Sequence, residues 1–139
     1  MPRWRLTSRW ETAMLDETGL RIRREVLGSE HVDAAVARTT GFTEPFQELI
    51  TRYAWSDIWG REGLTRAQRS IVTLTVLAAL RHWNELGMHV KAAVRNGLTR
   101  EEIQEVLLQV SVYAGVPVGN HAFTIAQEAL NELDADPAA

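Results

Sequence analysis

The stretch Ile71-Val72-Thr73-Leu74-Thr75-Val76-Leu77-Ala78-Ala79-Leu80 constrains the fold of this chain more than any other segment. Only two threonines interrupt it, so a helix built from it is apolar on nearly every side and must be enclosed on all of them. The run is about half of the ~20 residues that a membrane crossing needs, which predicts a buried helix and no membrane anchor. A capping box opens it: in Thr65-Arg66-Ala67-Gln68 the hydroxyl and the amide each satisfy a backbone donor orphaned at a helix start. A chain of 139 residues is one domain's worth, expected here as a single domain over residues 1–139. A domain of that size has few other helices with which to surround a central one. Subunit contacts complete the enclosure most simply, so a homo-oligomer is expected.

The remaining punctuation is helical as well. Residues Glu11 to Leu27 read as a helix stopped by Gly28, and a short helix follows from Glu30 to Arg38. Thr43 reads as an N-cap with Pro45 in the first turn, and Phe46, Leu49, Ile50 and Tyr53 keep the spacing of one helix face. The segment from Asn84 to Arg95 ends at Asn96-Gly97. Thr99-Arg100-Glu101-Glu102 is a second capping box, with Leu98 placed to staple onto Ile103, and its helix runs to Gly115. Pro117 opens a last helix that buries Phe123, Ile125, Ala126 and Leu130, and Asp134 to Ala139 form a frayed tail. No stretch alternates apolar and polar residues, so the expected fold is all-α, a compact bundle of roughly six or seven helices.

Composition removes whole classes of function. Fifteen Lys and Arg against eighteen Asp and Glu leave a formal charge of −3, with no basic excess to hold a phosphate backbone; no nucleic-acid partner is expected. The absence of cysteine excludes disulfides, zinc–thiolate sites, iron–sulfur ligation and thiol catalysis. Met1 to Trp10 is basic but lacks the apolar centre of a secretory leader, so a cytoplasmic protein is expected.

Two polar clusters can carry chemistry. In Arg81-His82-Trp83-Asn84-Glu85-Leu86-Gly87-Met88-His89, a helix would place Glu85 and His89 four apart on one face, with His82 three before Glu85. A carboxylate beside an imidazole fixes its tautomer and makes it a proton carrier near neutrality; the plainer alternative is a surface ion pair. His82 and His89 are about 10.5 Å apart along a helix axis, too far to share one ion, so no metal is expected even with His121 added. In Trp55-Ser56-Asp57-Ile58-Trp59-Gly60-Arg61, two tryptophans form an apolar wall and Arg61 offers a forked donor to a carboxylate. Core tryptophans and a surface arginine are the plainer alternative. His121 reads first as a core or cap residue, and His31 and the arginines before it read as structural.

Taken in order, Gly19-Leu20, Arg23, Glu25-Val26-Leu27-Gly28, His31-Val32, Phe46-Gln47, Leu49, Ala54-Trp55, Trp59, Arg61, Gly63-Leu64, Arg69-Ser70, Glu85-Leu86, Met88-His89, Asn96-Gly97, Thr99 and Tyr113-Ala114-Gly115 with Pro117 resemble the 4-carboxymuconolactone decarboxylases. The likeness covers about residues 17 to 132, leaving 1–12 and 134–139 as tails. It implies an alkylhydroperoxidase D-like all-α subunit assembled into trimers or hexamers. It also implies a cofactor-free lyase of the β-ketoadipate pathway that turns a lactone dicarboxylate into 3-oxoadipate enol-lactone. Glu85 and His89 match the family's acid–base positions; Arg61, Trp55, Trp59, His82 and His121 are assigned to substrate binding. The wider superfamily's Cys-x-x-Cys redox chemistry is closed to a chain without cysteine. Departures are Arg81-His82, where the family has Gly-Arg, and Ser56 in place of a glycine. Another lactone or oxo acid as substrate, or a non-catalytic binding module, are the alternatives.

Overall fold

A computed structural model describes residues 15–136, and local capping chemistry explains where its helices begin and end. Seven α-helices and one π-helix, with no strand, are present among the described residues: α1 Glu17–Leu27, α2 Ser29–Ala37, α3 Glu44–Ile50, the π-helix Thr51–Trp59, α4 Arg66–Ala79, α5 Trp83–Arg95, α6 Arg100–Ala114 and α7 Val116–Ala135. The all-α expectation holds. The chain divides into two compact units, Met1–Glu62 and Gly63–Ala139.

In the first unit, Asp16 starts α1, its carboxylate accepting from the Gly19 N–H at 2.7 Å. Of the helix expected from Glu11, the described part begins at Glu17, and the part before Leu15 lies outside the described residues. Gly28, at φ 92°, closes α1 and leads directly into α2, and Arg24 ties the two together through Asp33 at 2.7 Å. Helix α3 runs without a break into the π-helix, whose ladder is i→i+5. At the junction the hydroxyl of buried Thr51 donates to the Gln47 carbonyl at 2.6 Å. Helix α1 packs on the π-helix so closely that a β-carbon at Gly19 would lie 2.1 Å from the Thr51 carbonyl oxygen.

The opening of α3 lies where it was expected but is capped differently. Thr43 does precede α3, but its hydroxyl makes no capping bond to the helix; it accepts from the Thr40 N–H at 2.9 Å, closing the turn before it. Phe46, Leu49 and Tyr53 stay exposed, whereas Glu44, Thr51, Trp55 and Trp59 are buried. Helical spacing alone does not decide which face is covered: α1 packs on the π-helix at Thr51.

In the second unit both capping boxes close reciprocally. Thr65 accepts from Gln68 N–H at 3.1 Å while Gln68 accepts from Thr65 N–H at 2.9 Å. Thr99 and Glu102 do the same at 3.1 and 3.0 Å. Leu98 and Ile103 are both buried, as the expected staple requires. Leu74, Leu86, Val90, Ile103 and Leu107 fill the core between α4, α5, α6 and α7, each contributing roughly 1.5–3 kcal/mol by leaving water. Helices α6 and α7 meet at Gly115, where φ is 107°, and at Gly119, where a β-carbon would fall 1.8 Å from Ser111 Oγ. Ala126 is buried as expected, while Phe123, Ile125 and Leu130 are only partly covered. On α4, Ser70, Leu74 and Ala78 face the core, but Val72, Val76 and Leu80 remain 53%, 46% and 61% exposed. Among the described residues, the all-round apolar helix is thus enclosed on one side. No described helix is long and apolar enough to cross a membrane.

Candidate active site

The turn between α4 and α5 sets up the polar cluster of the second unit. Its backbone is fastened at both ends: the His82 N–H donates to the Leu77 carbonyl at 2.8 Å, and the His82 carbonyl accepts from the Leu86 N–H at 2.9 Å. Arg81, in the same turn, has φ +62°, the left-handed region that residues with a β-carbon avoid. His82 therefore sits at the N-cap position of α5, with its side chain exposed and making no capping bond. The helix begins at Trp83, so His82 precedes the face that Glu85 and His89 share.

Trp83 and His121 stack nearly parallel, with ring centroids 4.2 Å apart and planes 14° from each other. This contact joins the first residue of α5 to the first turns of α7 and covers one face of an otherwise exposed imidazole. Trp83 was not singled out from the sequence; a tryptophan at the opening of a helix that carries a Glu–His pair is the signal that could have found it. Glu85 lies in the first turn of α5, exposed, where the helix dipole favours a carboxylate. His89 lies one turn further on and is 8% exposed. Helix α5 thus carries a solvent-facing carboxylate and a largely dry imidazole one turn apart. Such a pair can exchange protons with water at one end and deliver them to a shielded reactant at the other.

The remaining sequence-identified residues belong to the first unit. Trp55 and Trp59 are both buried on the π-helix, with ring centroids 5.5 Å apart and planes tilted by 30°. π-Helical turns are rare and recur at functional sites. Arg61 follows two residues after the π-helix, exposed, its N–H donating to the Ile58 carbonyl at 3.1 Å. Among the described residues, no three His, Asp or Glu side chains converge as a metal-ligand set.

The strained turn yields a stability expectation. A left-handed backbone costs a residue with a β-carbon about 1–2 kcal/mol, part of which glycine returns as greater freedom in the unfolded chain. Arg81→Gly, which restores the residue that the family resemblance has at this position, should stabilise the fold by about 1 kcal/mol and raise the Tm by roughly 2–4 °C. Thermal unfolding followed by circular dichroism checks this, and an unchanged or lower Tm counts against strain at Arg81.

Comparison with known proteins shows the family. The model of the carboxymuconolactone decarboxylase family matches residues 44–128. The chain is 43% identical over 119 residues to the 4-carboxymuconolactone decarboxylase of Acinetobacter baylyi, covering 86% of this chain and 89% of that protein. It is likewise 43% identical over 119 residues to the nitrosuccinic acid decarboxylase of Metarhizium robertsii, covering 86% of this chain and 83% of that protein.

Proposed function

The chain belongs to the carboxymuconolactone decarboxylase family and is a carboxy-lyase, and on that premise we propose that it converts 4-carboxymuconolactone to 3-oxoadipate enol-lactone without a cofactor. The observation that carries the chemistry is the exposed carboxylate of Glu85 one turn before the buried imidazole of His89 on α5. In the substrate, the carboxylate to be lost sits on a carbon vinylogous to the lactone carbonyl. When its C–C bond breaks, carbon dioxide leaves and the electron pair moves through the double bond onto the carbonyl oxygen. The dienolate so formed takes one proton at the carbon next to the carbonyl. His89 delivers that proton, and Glu85, exposed one turn earlier on α5, relays a replacement from water. Arg61 anchors the carboxylate that does not react; Trp55 and Trp59 give that anchor an apolar wall, and His82 and His121 add polar contacts to substrate.

The equal likeness to a nitrosuccinic acid decarboxylase favours one second reading. Loss of the carboxylate beside a nitro group sends the electron pair onto a nitro oxygen, and the nitronate is again protonated at carbon. Both substrates carry a second carboxylate and both end on a proton transfer, so one set of side chains suits either. Measuring carbon dioxide release from the two compounds with one enzyme preparation separates the readings: kcat/KM should be higher for the lactone, and a higher value for nitrosuccinate assigns the enzyme to the second reading.

A cytoplasmic homo-oligomer of three or six chains that binds no nucleic acid completes the proposal. The apolar row of Val72 and Val76 on α4 with its C-cap residue Leu80, exposed among the described residues, supports self-association, because a helix this apolar is costly to leave in water. Light scattering at micromolar concentration should give a three- or sixfold multiple of the 15.6 kDa chain, and a monomer overturns the assembly.

A further inference from the structure

Arg23 is a charged residue that the fold buries without a counter-ion among the described residues. It is 6% exposed, and its Nη1 donates to the neutral Oε1 of Gln47 at 3.0 Å. Its Nε is enclosed with no acceptor among the described residues, and burial pulls its pKa down. Glu44, buried on the same helix as Gln47, forms no ion pair with it. A guanidinium cannot shed its proton to escape this situation, and an unpaired buried charge opposes folding. Neighbouring arginines behave differently: Arg21 pairs with Glu25 and Arg24 with Asp33, both in the open.

The position of Arg23 in the first unit bears on substrate. Gly19, one turn earlier on α1, touches Thr51 at the start of the π-helix. Ile22, the residue before Arg23, reaches Gly60, the residue before Arg61: its Cδ1 lies 3.1 Å from where a β-carbon of Gly60 would be. Both arginines thus come from segments that meet beside the π-helix with the two buried tryptophans.

We propose that Arg23 holds a carboxylate of the bound small molecule, the one retained through turnover, as the buried counterpart of exposed Arg61. The inference rests on the decarboxylase reading above, since both candidate substrates keep one carboxylate after losing the other. A carboxylate supplies the charge and the acceptors that Arg23 lacks, and the pair is stronger for lying out of water.

Succinate, a dicarboxylate that cannot react, tests this without turnover. Millimolar succinate should raise the Tm of the wild-type protein, and Arg23→Met should abolish that rise while its ligand-free Tm stays level or increases. Arg23→Lys, which keeps the charge but loses the fork, should retain part of the rise. With substrate, Arg23→Met should raise KM by about 10- to 100-fold, with the larger share of the effect in KM. Absence of a succinate effect on the wild type, or an undiminished effect in Arg23→Met, overturns the proposal. So does an Arg23→Met variant that unfolds or loses its assembly while folded Arg23→Lys binds succinate as the wild type does. If succinate binding depends on Arg23 but neither lactone nor nitrosuccinate is decarboxylated, the choice of substrate falls while Arg23 keeps its place as the carboxylate-binding residue.

Discussion

His89→Gln should lower kcat for the lactone by about 10²–10⁴-fold, roughly 3–5 kcal/mol of barrier, while circular dichroism and light scattering stay as in the wild type. Glutamine fills similar space in the buried position and still hydrogen-bonds, but it has no proton to give at neutral pH. The dienolate left by carbon dioxide must then wait for water, which the largely covered position of His89 keeps scarce. Glu85→Gln should cost less, because the imidazole remains and only its recharging suffers. If instead Glu85→Gln abolishes turnover while His89→Gln keeps near-wild-type kcat, the donor is Glu85. Near-normal kcat in both variants reduces the pair to a feature of a helix face.

Arg61→Met should act on the other kinetic constant. A contact to the unreacting carboxylate is made equally in the ground state and the transition state, so its loss raises KM and leaves kcat nearly intact. A charged hydrogen bond of this kind is worth about 1.5–3 kcal/mol, which predicts a KM increase of roughly 10- to 150-fold. Steady-state kinetics over a wide substrate range checks it. A fall in kcat with KM unchanged would mean that Arg61 meets charge that develops only during the reaction.

What could be read from the sequence was the chemistry of neighbours. The capping boxes at Thr65 and Thr99 are complete within four residues, so they close in the structure as they read. Gly28, Asn96-Gly97 and Gly115 stop helices for equally local reasons. The π-helix was not legible, because an i→i+5 ladder alters the backbone without altering which residue types sit four apart, as Trp55 and Trp59 do. Nor could spacing reveal which face of the segment from α3 to the π-helix would be covered. That choice is made by α1, whose Gly19 allows an approach to Thr51 that no other residue permits.

The site was legible to the same degree. The four-residue step from Glu85 to His89 needs only a helix, and α5 supplies it. The place of His82 depended on where that helix starts, and the left-handed turn at Arg81 puts the start one residue too late to include it. Arg23 was hidden by its company. Arg21-Ile22-Arg23-Arg24 reads as a solvated charged stretch, yet only Arg23 stands four residues after Gly19, on the face that packs against the π-helix. The Trp83–His121 stack joins residues far apart in the chain, so no local pattern announces it.

Turnover of 4-carboxymuconolactone in D2O, followed by NMR of the product, tests the central claim most directly. A protein-held acid delivers its proton to one face of the dienolate, so the account predicts that the wild-type enzyme releases one carbon dioxide per lactone. It also predicts an enol-lactone with a single deuterium of one configuration at the carbon next to the carbonyl. Deuterium divided equally between the two configurations would mean that solvent, and not His89, quenches the intermediate, and no loss of carbon dioxide would contradict the account outright.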